Sequence, residues 1–587
     1  MSKRLFLTGL FCILVSTGGA FGQAAKPNPQ VASRIVAVDP FKIESGSLFS
    51  ASSSQPTKVA RPNAAESERT RVISDFEEAL QIVKDRYAGG APDDTSELTK
   101  SAISGMLRTL DPHSSFFDAA EYRDMLDEQQ SEYSGIGSTI VNYNRDGENA
   151  TYVIANAADG PAARAGLAFG DRIVAVNGEL MVGKTSDVVR DKVRGPGGTT
   201  VKLTIEHAAT GKTDIIELRR GRLYQPSLPD AYILGQGVGY IDLTTGFNFT
   251  TAAELETAVK RLKREGMESL ILDLRGNPGG ILDQAIKVAE KFLPAGSVVV
   301  SQRGRYHMDS RVWRSANRAP ETMPLVLLVD ENSASASEVV AGALQDHDRA
   351  LIIGEKTFGK GLVQNVVDLP FGAGLTITTA RYLTPSGRSI QRDYSNGSIY
   401  DYYNHKGGPA ASELERYRAT TDAKREVFGG DGITPDELIP AERFSGIQES
   451  LIDPLFYFSV AAATGQVPGL ERLAVKQSAV GPADFRSLPD TDVMKRFVAF
   501  SQQSGVFDAD HKLSDAEERF IAVRLQYNLV MSRQGAAAAA RVLIANDPQV
   551  TAAVSFLPRA AMLAKAVTAR RNLREKSPPG RIPGGLR

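Results

Sequence analysis

"PLVLLVDENSASASEVVAGALQDH", Pro324 to His347, is the stretch from which the fold is read. Leu325 to Val329 form a short unbroken apolar run. A polar turn follows, and then a longer pattern of Val, Ala and Leu. A short apolar run entering a turn and then a helical pattern reads as a buried strand feeding a helix. The same unit occurs twice upstream. "VGYIDLTTG" (238–246) leads into "TAAELETAVKRLKREG" (251–266), which has a Gly stop, and "SLILDLRGNPGG" (269–280) leads into "ILDQAIKVAEKFL" (281–293). "RALIIGEKTFGKG" (349–361) adds a further strand and loop. Strands alternating with helices predict an α/β core, placed at 223–445.

Outside that core the pattern changes. Residues 133–222 hold alternating segments such as "TTVKLTIEH" and "TDIIELRRG" and read as a small β-rich domain. Residues 67–132 read as helical, with Val72, Phe76, Leu80 and Val83 near helical spacing and "LDPHSSFFDAAEYRDML" as a Pro turn followed by a third helix. Residues 446–572 read as a helical extension, including "ERFIAVRLQYNLVMSRQ" and an Ala-rich run. The Pro-, Ser- and Ala-rich stretch 23–66 reads as a flexible linker, and 573–587 as a disordered tail.

The first 22 residues carry a targeting signal. Lys3 and Arg4 precede an apolar run, Leu5 to Val15, and small residues follow, with Ala20 and Gly22 spaced as a cleavage site. The run is short for a membrane span. The chain is therefore expected to be exported, to a periplasm, or to the exterior or a membrane surface if the signal stays uncleaved. The single cysteine, Cys12, lies inside this segment, so the mature chain would have neither disulfides nor a thiol nucleophile, and no thiolate metal site. The chain has 587 residues, 42% of them hydrophobic and 23% charged, with a net charge of −1. That length calls for three or four domains, and that balance gives no reason to expect a nucleic-acid partner.

Chemistry in α/β sheets gathers where strands end and helices begin. Two such places stand out. In "DLRGNPGG", Gly279 and Gly280 bring bare backbone N–H groups to a turn, which suits either a tight bend or an oxyanion hole. In "ENSASASEVV", Ser333, Ser335 and Ser337 precede a helix, and Ser335 followed by Glu338 has the capping-box spacing. Local rules favour capping, although a helix start also suits a nucleophile because its dipole stabilises negative charge. A nucleophile needs a base. None of the six histidines sits in a loop with a convincing acid partner, and His347 falls at the far end of the helix that follows the serines. Two lysines are candidates, Lys356 and Lys360, the latter between glycines. A lysine serves only if burial lowers its pKa.

"SASASE" with "GEKTFGKGLVQ" beyond it resembles the carboxy-terminal processing, or tail-specific, proteases, which are serine endopeptidases with a Ser–Lys dyad. The resemblance covers roughly residues 70–440 and includes "GMLRTLDPHSSFF", "DLRGNPGG", "ARYLTPSGRSIQ" and "GDGITPDE". "GPAARAGLAFGDRIVAVNG" is similar to a PDZ domain. The resemblance implies a multidomain α+β chain: a helical N-terminal region, a PDZ-like domain, an α/β protease core of the crotonase or ClpP type, and a helical C-terminal extension. It implies Ser335 as nucleophile, Lys360, 25 residues on, as general base, and Gln364 as the residue orienting the lysine amine. Lys356 falls outside the matched position. The oxyanion hole would be the N–H of Ala336 with that of Gly280, favoured over Gly279. Ser333 and Ser337 keep the capping role, and Glu338 need not form a capping box with Ser335.

Gly135, Ile136 and Gly137 in "YSGIGST" match the loop with which PDZ domains hold a terminal carboxylate. Arg194 in "KVRGPGG" could link that domain to the core. Protein or peptide substrates taken by their C-termini are the expected partners, with an adaptor protein and a homodimer both allowed, and no cofactor or metal is called for. Two other functions compete. A PDZ-bearing adaptor with an inactive protease-like core is disfavoured by the presence of Ser335, Lys360 and Gln364 together. A crotonase-type enzyme acting on acyl-CoA thioesters is disfavoured by the export signal and the PDZ-like module.

Overall fold

The computed structural model describes residues 64–89, 95–145, 147–394, 402–403, 418–474, 489–508 and 510–576. The signal and nearly all of the linker reading lie outside these residues. The chain divides into two compact units, 18–107 and a larger one containing 108–587. The first unit holds helices α1 (Ala64–Arg86) and most of α2 (Thr95–Arg108). Helix α1 begins three residues inside the stretch read as linker, because Ala64, Ala65 and Glu66 are good helix formers and an acidic residue suits a first turn.

In the larger unit, the core sheet has the order β10-β11-β12-β15-β16-β21: Ala231–Gly235, Val238–Asp242, Ser269–Asp273, Leu325–Val329, Leu351–Gly354 and Glu437–Leu438. Every pairing is parallel except β10 with β11. The unbroken apolar runs follow from burial on both faces. Leu270, Leu272, Leu325, Leu327, Val329 and Ile352 face a core shared with α6 (Thr251–Arg264), α7 (Leu282–Glu290) and α8 (Ala336–Asp346). The alternate residues Ile271, Val326, Leu328, Leu351 and Ile353 face Val550, Ala553, Leu557 and Ala560 of the long C-terminal helix, Pro548–Lys576. That helix runs four residues into the stretch read as a tail, and 577–587 lie outside the described residues.

A second sheet flanks the core: β1 (Ser115–Phe117), β18 (Gly374–Leu383), β13 (Val298–Gly304) and β14 (Arg311–Arg314), with β17 (Leu362–Asp368) paired to β18. Strand β1 lies within the region 67–132 read as helical, where the sequence suggested a Pro turn. Ser115, Phe116 and Phe117 pair with Thr376, Leu375 and Gly374, and α3 (Ala119–Gln129) starts only afterwards. Phe116 and Phe117 suit a strand, and the pairing with β18 decides the matter.

Along the chain, the β-rich domain lies between α3 and β10. Its sheet is β3-β4-β5-β7-β8 (Ser138–Arg145, Glu148–Asn156, Arg172–Val176, Thr200–Glu206, Thr213–Arg219), with β6 (Glu179–Leu180) at the side. A short ribbon of β2 (Glu132–Gly135) and β9 (Gly221–Tyr224) closes it. Two helices complete it, α4 (Pro161–Arg164) and α5 (Ser186–Val193), the latter capped by Thr185. The C-terminal extension covers the other face of this sheet. Phe456 of α10 (Ile452–Ala463, preceded by α9, Gly446–Ser450) stacks on Tyr143 at 3.7 Å and packs edge-on against Tyr152. The 31-residue α12 (Asp515–Ala545) follows α11 (Thr491–Gln503) and joins the same core through Leu525, Leu529 and Val530.

Candidate active site

Strands β12 and β15 are neighbours, and both end at the same edge of the sheet. Their exit loops, 274–280 and 330–335, are therefore side by side, and polar groups lock them together. Asp330 Oδ1 accepts the amides of Gly276 (2.8 Å), Asn332 (3.0 Å) and Ser333 (3.0 Å). Ser333 Oγ donates to the carbonyl of Leu274 at 2.8 Å, and Ser337 Oγ to that of Asn277 at 3.0 Å. The Ala334 amide donates to the same Asn277 carbonyl at 2.9 Å. These two serines therefore do not cap the helix, as their sequence position suggested. They bind the serine loop to the glycine loop, because the loop is buried and its hydroxyls need partners there.

Ser335 differs. Its backbone has φ 54° and ψ −110°, a positive φ outside the regions that side-chain-bearing residues ordinarily use. Such a conformation costs on the order of 1–3 kcal/mol and persists only where surroundings enforce it. It stands at the start of a helix in which every residue is buried, and it is itself part-exposed.

Glu338, one turn into α8, is wholly buried. Its Oε2 accepts the amides of Ser335 and Lys360, each at 2.8 Å. Its Oε1 accepts the Thr357 hydroxyl at 2.6 Å and the Gly359 amide at 2.8 Å. Ser335 and Glu338 have the capping-box arrangement, and the same carboxylate also holds the lysine loop. Burial raises the pKa of Glu338, opposed by these four donors. Lys360 is half-buried, and its amine is pulled down to about 8 by desolvation, against the raising influence of Asp111 and Glu338. Lys356 lies elsewhere, paired to Asp431 at 2.9 Å.

Gln364 sits on strand β17, not on a helix or loop, opposite Thr378 at a bulge, with Nε2 3.4 Å from Thr378 Oγ1. Of the two glycines, Gly279 donates its amide to Asn277 Oδ1 at 2.9 Å, whereas the Gly280 amide makes no hydrogen bond among the described residues. A Cβ at Gly279 would lie 2.8 Å from Ser335 Cβ, and one at Gly280 would lie 2.2 Å from the Phe247 carbonyl oxygen. Both positions exclude a side chain, and both have φ above 100°.

His347 bonds Asp422 (2.9 Å) and the Val298 carbonyl (2.7 Å) at the far end of α8. His113, by contrast, lies beside the lysine loop: its ring packs edge-on to Phe358 at 6.4 Å, and its Nε2 is 2.8 Å from Tyr402 OH. Sequence reading assigned no role to His113, Asp330 and Asn277, and only a capping role to Glu338. The "DPHS" and "SASASE" motifs held the signal, but local capping and turn rules account for both equally well.

In the β-rich domain a groove runs between β3 and α5, lined by Ile136, Gly137, Ile140, Ile173, Arg190 and Val193. Gly137 has φ 79°, and the Ile136 and Gly137 amides make no hydrogen bond among the described residues, while Gly135 is paired to Gly221 in the β2–β9 ribbon. Arg194 ends α5 with its guanidinium 5.5 Å from the centre of the Tyr133 ring. Among the described residues no group of three His, Cys, Asp or Glu could hold a metal ion.

Residues 237–402 match the model of peptidase family S41, and residues 153–207 match a PDZ domain model. The carboxy-terminal-processing protease of Bartonella bacilliformis is 39% identical over 324 residues, covering 54% of this chain and 72% of that protein. The carboxy-terminal processing protease of Bacillus subtilis is 30% identical over 341 residues, covering 58% of this chain and 69% of that one. Among solved structures, a photosystem II D1 C-terminal processing protease aligns over 62% of this chain and 86% of its own, at 29% identity and a TM-score of 0.32. Identity at this level over more than two thirds of two such relatives, with both domain types present, leaves one conclusion: the chain belongs to the carboxy-terminal processing proteases, PDZ-bearing serine peptidases of family S41.

Proposed function

We propose that the protein is an exported endopeptidase that cleaves proteins at or from their C-terminal region with a Ser335–Lys360 dyad. The observation that carries this reading is the shared carboxylate oxygen: Glu338 Oε2 holds the amides of Ser335 and Lys360 at the same 2.8 Å. Nucleophile and base are thereby fixed relative to each other by one rigid, buried group. Neutral Lys360 takes the proton from Ser335 Oγ, and the oxygen attacks the scissile carbonyl. The N–H groups of Ala336 and Gly280 hold the oxyanion; the free state of the Gly280 amide, beside the engaged Gly279 amide, supports that choice. The lysine ammonium then protonates the leaving amine, and water releases the acyl group. Gln364 steadies the lysine amine from β17.

The groove between β3 and α5 takes the substrate C-terminus, with its carboxylate on the Ile136 and Gly137 amides of the Gly135–Gly137 loop. Apolar side chains of Ile173 and Val193 suit an apolar terminal residue. The N-terminal sequence supports export to a periplasm, and no helix among the described residues is long and apolar enough to cross a membrane. An adaptor protein and a homodimer fit this reading as further partners.

The test is turnover of a peptide ending in an apolar residue. Ser335→Ala and Lys360→Ala should each abolish hydrolysis while leaving the circular dichroism spectrum unchanged. Full hydrolysis by purified Ser335→Ala protein would overturn the dyad, and no hydrolysis by the wild type would leave the adaptor reading in its place.

A further inference from the structure

The loop Asp111–Ser114 has no part in the chemistry described so far. Strand β1 fastens it to β18. Asp111 is buried; its Oδ1 accepts the amides of His113 and Ser114 at 2.8 Å each, and its Oδ2 accepts the Ser114 hydroxyl at 2.7 Å. Ser114 Oγ in turn accepts the amide of Thr378 at 3.1 Å, the strand partner of Gln364. The His113 ring points the other way, into an aromatic cluster: 5.5 Å from Tyr402, 6.1 Å from Tyr403 and 6.4 Å from Phe358, edge-on in each case. Tyr403 donates its hydroxyl to the Pro112 carbonyl at 2.7 Å.

From His113 the contacts lead to the lysine. Its Nε2 is 2.8 Å from Tyr402 OH. That hydroxyl accepts Gln391 Nε2 at 3.2 Å, and Gln391 Oε1 accepts the Gly361 amide at 2.8 Å. The segment Phe358–Gly361 is thus held on one side by Glu338 and on the other by this loop through Tyr402 and Gln391.

We propose that the Asp111–Ser114 loop is a positioning element for the general base, in which His113 closes the lysine compartment against water and Asp111 supplies the counter-charge that sets its basicity. The inference rests on the assignment of Lys360 as the base. The charges facing the amine agree with it. Asp111 from this loop and Glu338 from α8 both stabilise the ammonium. His113 is neutral, because burial and then the Lys360 charge push its pKa down to about 2. Burial keeps Tyr402 and Tyr403 as neutral phenols, and Arg392, above the Phe358 ring, is paired to Asp431 at 2.7 Å.

The two residues should act in opposite directions. Removing the Asp111 charge makes the ammonium less stable, whereas removing the His113 ring admits water and makes it more stable. The experiment is the pH dependence of kcat/KM for the full chain on a peptide substrate. Asp111→Asn keeps an oxygen for the two amides and should move the ascending limb to lower pH. His113→Ala should move it to higher pH, each by about half a pH unit or more. His113→Gln, which keeps a polar partner for Tyr402, should return the limb towards wild type. Limbs that stay in place in Asp111→Asn and His113→Ala, whatever happens to the plateau rate, overturn the proposal. If circular dichroism shows His113→Ala unfolded, the Asp111→Asn limb decides alone. A wild-type profile with no limb near the lysine value would refute Lys360 as base, which is a different failure.

Discussion

At the scale of single residues, the site depends on two groups kept in unusual states by burial. Lys360 loses basicity because its amine is desolvated, and its value of about 8 sets when it can accept a proton. The lysine is charged below that value and neutral above it. The kcat/KM of the wild type should therefore rise with pH through about 8 and fall away below it, as a pH–rate profile would record. Glu338 is the other. Four donors converge on its carboxylate. Glu338→Gln turns an N–H₂ towards N–H or O–H donors and should cost about 2 kcal/mol or more, read from the denaturant midpoint, with loss of activity. This role could not be read from "SASASE". The capping-box spacing explains Glu338 locally, and its other partners, Thr357 to Lys360, are close only after β16 has folded beside β15.

At the scale of elements, the parallel neighbours β12 and β15 do the positioning. Because both strands end at one edge, the loops that follow meet, and their polar side chains bond to the backbone of the facing loop rather than to water. Three serines at alternate positions thus divide their work. Ser333 and Ser337 bond across to the glycine loop, and Ser335, at a positive φ where the helix starts, holds the position proposed for the nucleophile. The glycine loop has equally little room. Gly280→Ala would press a methyl group into the Phe247 carbonyl, displacing the free amide from its place. A loss of kcat/KM on the order of 10²-fold is expected, measured with the same peptide, alongside a folded circular dichroism spectrum. The strand–helix units of the core were legible because burial on both faces imposes unbroken apolar runs. Strand β1 was not legible, since three residues with partners at 374–376 leave no periodicity to detect. Gln364 was assigned from resemblance without its element, which pairing with β18 shows to be a strand.

At the scale of the larger unit, the C-terminal extension covers two surfaces that the other domains cannot bury themselves. Phe456 and its neighbours take the aromatic face of the PDZ sheet, and Val550, Ala553 and Leu557 take the outer face of the protease sheet. Polar contacts fix both ends: Arg275 bridges Asp273 and Asp547 at 2.6 Å each, and Arg541 meets Asp230 at 2.7 Å. Phe456→Ala removes a fully buried ring from the PDZ side and should cost about 3–5 kcal/mol, seen in chemical denaturation of the full chain. The sequence by itself determined the α/β core and the β-rich domain, because apolar periodicity is a local property written along the chain, and its motifs, through their resemblance to a family, proposed Ser335 and Lys360. It could not assign work to the extension, to Glu338 or to His113. Their partners lie tens to hundreds of residues away, and a buried polar or aromatic group acquires its role only from the neighbours that folding brings to it.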